Sequence, residues 1–153
     1  DQAAEQEKQK KLEAATVAFA QPGQMQPERD FNFRGEEASQ VQLQGRNGRR
    51  AAKWFSFDLP VDSACPMTLI VTYTNDEQQR RTFDVLVEGR KIGERTIERR
   101  SPEKDVRLFH IEYVIPAELM AGKQKVTVRF EATNGNSTGA VLGLRMIRAD
   151  APR

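Results

Sequence analysis

The chain has 153 residues, enough for one domain with a single good core. Its 24 Lys and Arg face 22 Asp and Glu, a net charge of +2, so it lacks the overall basic excess that marks a nucleic-acid binder. One cysteine (Cys65) and one histidine (His110) exclude an internal disulfide, a cysteine metal cluster, a multi-histidine zinc site and most thiol or triad catalysis.

Residues 1–15 (DQAAEQEKQKKLEAA) are strong helix formers, with Asp1 placed as an N-cap and Glu7 and Lys11 at i and i+4. Apolar content there is thin, so the helix needs a partner surface. It reads as a connector from a preceding domain, spanning residues 1–20, with the β domain at 21–149. The opening in a charged, Gln-rich segment suggests a domain cut from a longer polypeptide. Residues 21–27 hold Pro22, Gly23 and Pro27 and are expected to be irregular. Residues 28–37 (ERDFNFRGEE) read as a structured loop, 39–43 as a short strand, and 45–50 (GRNGRR) as a turn or exposed loop.

Period-two alternation then sharpens. Phe55, Phe57 and Leu59 alternate with Trp54, Ser56 and Asp58; Leu69, Val71 and Tyr73 alternate with Ile70 and Thr72. Phe83, Val85 and Val87 follow, and Glu88-Gly89-Arg90 supplies the positive φ of a tight hairpin turn that returns the chain over 91–97. After Ser101-Pro102 come Phe109, Ile111 and Tyr113, then a one-turn helix candidate at 116–120 with Gly122 past its end. Val126, Val128 and Phe130 form the next strand, and 140–147 the last. About eight strands at this spacing predict an all-β, two-sheet jelly-roll sandwich with a short N-terminal helix. No apolar run is long enough to span a membrane and no signal peptide is present, so neither membrane nor nucleic acid is an expected partner.

Few groups could carry chemistry. The carboxylate pairs are Asp30 with Glu28 or Glu36, and Asp58 with Asp84; nothing in their setting marks a raised pKa or a pocket, and no enzyme activity is expected. Trp54 has the opposite parity from Phe55, Phe57 and Leu59, so its indole faces outward. With Arg49, Arg50 and Lys53 nearby, and Asn32 and Arg34 in the preceding loop, it can stack on a sugar ring while polar groups bind hydroxyls. The carbohydrate-binding candidates are therefore Trp54, Arg49, Arg50, Asn32 and Arg34. The alternative is that Trp54 is covered by the N-terminal helix or by the Phe31/Phe33 loop. Asp30, Asn32, Arg34 and Glu36 are the kind of polar loop from which calcium sites are built, but a loop held by its own hydrogen bonds explains them as well. No cofactor is expected. His110 points away from the core by parity, and Asn136-Ser137-Thr138 matches a glycosylation acceptor, a pattern common by chance.

Several stretches together carry a resemblance. They are Gln26-Pro27-Glu28 with Asn32 and Gly35-Glu36, then Trp54-Phe55-Ser56-Phe57-Asp58-Leu59, then Phe83-Asp84-Val85-Leu86-Val87-Glu88-Gly89. Ile115-Pro116 with Glu118-Leu119 and Gly122-Lys123, Val126-Thr127-Val128-Arg129-Phe130, and residues 139–143 complete the set. This order resembles the C-terminal β-sandwich domain of uncharacterised function appended to secreted β-L-arabinofuranosidase-type glycoside hydrolases with a six-hairpin (α/α) barrel. The resemblance covers the chain from about residue 12 onward. It implies a galactose-binding-like jelly roll without catalytic acids, those belonging to the barrel, and a bacterial protein exported to the periplasm or cell surface. Its partners would be a polysaccharide or the catalytic domain of the same chain. The family brings no agreed binding motif, so the site residues rest on their own chemistry. A protein–protein interaction module unrelated to sugars is the contrasting class; it predicts a broad apolar patch instead of one exposed aromatic with polar neighbours.

Overall fold

The computed structural model describes residues 1–133 and 135–149. Among these, helices α1 (Gln2–Ala15) and α2 (Met25–Asp30) accompany nine strands: β1 (Thr16–Ala20), β2 (Arg34–Leu43), β3 (Arg46–Pro60), β4 (Met67–Thr74), β5 (Arg81–Val87), β6 (Arg90–Ile97), β7 (Leu108–Ile115), β8 (Lys125–Ala132) and β9 (Gly143–Arg148). The strands form two antiparallel sheets, ordered β1-β9-β4-β7 and β2-β3-β8-β5-β6. This is the two-sheet, all-β jelly-roll sandwich that the alternation predicts.

The alternation also predicts which side of each strand is buried. Phe55, Phe57, Phe83, Val85, Val87, Val128 and Phe130 of the five-stranded sheet are fully buried, as are Leu69, Val71, Tyr73, Leu144 and Met146 of the four-stranded one. Their interdigitation is the driving term for folding, since it removes the apolar face of each sheet from water. Aromatic rings run through the layer: Phe55 stacks on Phe130 at 5.1 Å, and Tyr73 meets Phe83 edge-on at 5.8 Å. The β5–β6 hairpin closes through Glu88 and Gly89, both at positive φ (52° and 78°), the two-residue geometry that matches strand twist.

Four segments differ from expectation, each for a local reason. Residues 16–20, assigned to a helical connector, are edge strand β1, hydrogen-bonded to β9 with Ala18 and Ala20 buried. The expected boundary at residue 20 therefore runs beside a strand of the four-stranded sheet, and a five-residue strand whose buried side chains are alanines gives too weak an alternation to read. Residues 25–30 form α2 despite Pro27, because proline in the first turn sacrifices only an N–H that has no intrahelical acceptor. The turn expected over residues 45–50 shrinks to Gln44 and Gly45, at φ 56° and 72°, and β3 already runs from Arg46. Gly48 is not a turn glycine at all: a Cβ there would lie 2.6 Å from the Val141 carbonyl oxygen, so it permits a close backbone approach. The short strand expected at 39–43 starts earlier, at Arg34, with a bulge between Glu36 and Ala38.

Helix α1 forms as predicted, with the Asp1 carboxylate accepting from the Ala3 and Ala4 N–H groups at 2.6 and 3.2 Å. None of its residues is buried, and its main contact is with β9. No helix among the described residues is long and apolar enough to cross a membrane.

Candidate functional site

Strand pairing places one polar strip on the outer face of the five-stranded sheet. Trp54 of β3 lies opposite Glu36 of β2 and Glu131 of β8, while Ser56, one step along the same face, lies opposite Arg34 and Arg129. Trp54 is half-buried. Its indole Nε1–H donates to Glu36 Oε2 at 3.2 Å, and the Arg129 guanidinium sits 4.1 Å from its ring centroid. Arg129 in turn bonds Glu131 Oε1 at 3.1 Å, and Lys53 Nζ reaches Glu36 Oε1 at 3.0 Å. Glu36 is held below the ordinary glutamate range by the hydrogen bond from Lys53 and then by that from Trp54.

The N-terminal helix and the Phe33 ring both pack away from Trp54. Helix α1 packs along β9 of the opposite sheet. Phe33 packs inward, 5.2 Å from Phe57 and 6.3 Å from Phe55, on the other side of β3 from the indole.

Farther along the strip Asp58 gathers the loop residues. It accepts from Asn32 Nδ2 at 2.8 Å, Thr127 Oγ1 at 2.7 Å and Arg34 at 3.2 Å. Burial works against its charge, but the Asn32 and Thr127 hydrogen bonds outweigh it and lower its pKa. The β2–β3 register thus puts Arg34 on the face of Trp54, and Asn32, in the turn before β2, reaches that strip through Asp58.

Arg49 and Arg50 do not join them. Arg49 makes a two-pronged pair with Glu28 (2.6 and 2.8 Å) and lies 4.5 Å over the Phe33 ring. It lines a cleft of about 620 Å³ with Met25, Arg29, Asn32 and Gln40. Arg50 bonds Glu77 at 2.8 Å, and Glu77, fully buried, also takes Arg81 at 3.2 Å and the Ala140 N–H at 2.8 Å. That cluster ties the Asn75–Arg81 loop to strand β3 and to the segment leading into β9. The polar side chains considered for calcium also separate: Asp30 bonds Gln26, Asn32 and Arg34 turn to Asp58, and Glu36 turns to Lys53 and Trp54. Among the described residues no group of three or more His, Cys, Asp or Glu side chains could hold a metal ion. His110 is exposed, as its parity predicts, with Nδ1 3.0 Å from Thr72 Oγ1.

Arg129 and Glu131 complete the strip and were not among the expected site residues. The alternation marks them as outward-facing, but only the β3–β8 register reveals that they flank Trp54. Glu77 gave no sequence signal, since an acid in a turn normally faces water.

The architecture is shared with known modules. A family 35 carbohydrate-binding module from Clostridium thermocellum superposes with a TM-score of 0.56 at 13% identity, covering 86% of this chain and 98% of the module. A carbohydrate-binding module of family 36, in complex with calcium and xylotriose, gives 0.54 at 9% identity, covering 85% and 99%. An exo-β-1,3-galactanase from Phanerochaete chrysosporium, with β-1,3-galactotriose, gives 0.57 at 9% identity; 86% of this chain matches 29% of that one. At such identities the likeness is one of fold. No curated protein matches by sequence. The sequence itself places the chain more narrowly: over residues 11–147 it matches the model of DUF6805, and it belongs to that family of unknown function.

Proposed function

We propose that this chain is a non-catalytic, carbohydrate-binding accessory domain with Trp54 as its platform. The observation that carries the reading is the half-buried indole on a sheet face, with the Arg129 guanidinium over one side of the ring and Glu36, Glu131 and Arg34 around it, which leaves the other side of the ring for a sugar. An aromatic plane beside hydrogen-bonding charges suits a pyranose or furanose, whose C–H face stacks while its hydroxyls take polar partners. The fold supports the reading, because structures that share it are named carbohydrate-binding modules or lie within a glycan-degrading enzyme. The parent that the sequence resemblance favours is an exported bacterial β-L-arabinofuranosidase-type hydrolase, with its catalytic acids on a separate barrel. An interaction module unrelated to sugars fits less well: among the described residues the exposed large hydrophobics are Phe19, Met25 and Val114, which do not make one broad patch around Trp54.

Affinity electrophoresis against plant and host polysaccharides, with the Trp54→Ala variant alongside, tests the proposal. Retardation by at least one glycan, lost in the variant, is the expected result. No retardation on any glycan overturns it in favour of a second reading, in which the domain braces the catalytic barrel. Two observations support that alternative: α1 buries none of its residues, and Phe19 and Val114 are 39% and 75% exposed on the outer side of the four-stranded sheet.

A further inference from the structure

The free edges of the two sheets, β6 and β7, meet on one side of the sandwich. A cleft of about 610 Å³ opens there, floored by Ile97 and Phe109. Arg95 enters it from the inside. It pairs in register with Phe83, a core residue, so its side chain is on the inward face of edge strand β6. Its Nε is buried and has no hydrogen-bond partner among the described residues. A desolvated guanidinium donor without an acceptor is costly, and an anion is what would satisfy it.

The rim adds exposed positive charge. Arg99, Lys104 and Arg107 line the cleft, are exposed, and have no carboxylate partner among the described residues. Arg107 lies 5.2 Å over the Phe109 ring. Two acids also line the cleft, but Glu98 is paired with Arg80 at 3.3 Å, which leaves Asp105 as the remaining negative charge. Elsewhere on the sandwich most arginines are matched: Arg34, Arg49, Arg50, Arg81, Arg129 and Arg148 all have carboxylates. The loop presenting the rim is also held in place. Asn75 accepts from the Arg107 N–H at 2.8 Å and donates to the Asp105 carbonyl at 3.0 Å, while Arg100 bonds the Lys104 carbonyl at 2.8 Å and Asp76 at 3.5 Å. Cations carried on a loop held in this way, around an apolar floor, make a receptor for a ring that carries a negative charge.

We propose that this cleft binds the carboxylate or sulfate group of an acidic saccharide, at a site separate from Trp54. The saccharide as carrier rests on the carbohydrate reading above; the preference for an anion rests on Arg95 and the rim.

Calorimetric titration of the chain with oligogalacturonate, dextran sulfate and neutral dextran tests this. The variants are Arg99→Ala/Lys104→Ala, which removes exposed charges without touching the core, Arg95→Met and Trp54→Ala. At least one acidic glycan should bind about tenfold or more tightly than dextran, and weaken with salt. The rim double variant should lose about tenfold of that affinity, Arg95→Met likewise if a thermal melt shows it folded, and Trp54→Ala should change it little. A carboxylate source is indicated if oligogalacturonate binds, a sulfate source if dextran sulfate does. Acidic binding that survives the rim double variant overturns the proposal, as does equal affinity for duplex DNA, which would make the attraction generic. Binding of a neutral glycan through Trp54 with no acidic preference sinks this inference and leaves the carbohydrate reading standing. Loss of both sinks both.

Discussion

Glu77 and Glu36 are the same residue type, each taking a basic donor from β3 among others, and they do opposite things. Glu77 is fully buried and receives Arg50, Arg81 and the Ala140 N–H; Glu36 is 55% exposed at its side chain and receives Lys53 and the Trp54 indole. Buried, the carboxylate cannot exchange its partners for water, so its hydrogen bonds are fixed structure. Exposed, its partners are readily replaced, by water or by a sugar hydroxyl. Proximity in sequence to an outward aromatic is therefore a poor guide to membership of a site. Arg50 stands four residues from Trp54 and belongs to the scaffold; Arg129 stands seventy-five residues away and lies on the indole.

Glu77→Ala should break the scaffold side of this pair. It leaves two arginines and a buried amide without their acceptor, at a cost of about 3 kcal/mol, since removing one partner of a buried ion network strands the rest. Urea denaturation should show the midpoint falling while the protein that remains folded keeps any glycan retardation it had. A loss under about 0.5 kcal/mol would mean that the network is not structural.

Between the two extremes lies Asp58, nearly covered and hydrogen-bonded to Asn32 and Thr127, with Glu28 in a similar state beside Arg49. Both have lowered pKa values in the fold; burial opposes this in each, and the hydrogen bonds from neighbours prevail. The folded form therefore holds fewer protons than the unfolded chain in mild acid. Their contribution is complete above the ordinary carboxylate range near about 4 and is lost as pH falls through the lowered folded values. Melting temperature should therefore fall as pH drops from the ordinary carboxylate range through the lowered folded values. Asp58→Asn should cost about 1–2 kcal/mol at pH 7 and flatten the slope. An unchanged slope would take Asp58 out of the acid response.

Strands β5, β7 and β8, and β3 from Trp54 on, are legible because apolar and polar side chains alternate along them, and the β5–β6 turn is legible because Gly89 demands it. Strand β1 is not, since alanines bury little area and read equally well as helix. The candidate site is legible in part. The parity of Trp54 follows from its neighbours, but its company depends on which residues of β2 and β8 lie opposite, and register is a property of pairing that alternation does not encode. The same limit hides the edge cleft. Arg95, Arg99 and Lys104 look like ordinary solvated charges until β6 and β7 are placed side by side with Phe109 beneath them.

Glu36→Gln probes the exposed side with the smallest expected change in stability. Its pair with Lys53 lies in solvent, so its loss should leave the urea midpoint close to wild type. The amide can still accept from the Trp54 N–H, and the indole should keep its position. Lys53 does lose the partner that raises its pKa most strongly. Tryptophan fluorescence isolates the effect cleanly, because Trp54 is the only tryptophan in the chain. In wild type, acidification should shift the emission as Glu36 takes up its proton, at a pH below the ordinary glutamate range because Lys53 and Trp54 hold the charged form. In Glu36→Gln that titration should vanish while the spectrum at pH 7 stays close to wild type. A persistent acid transition would show that the indole senses a group other than Glu36.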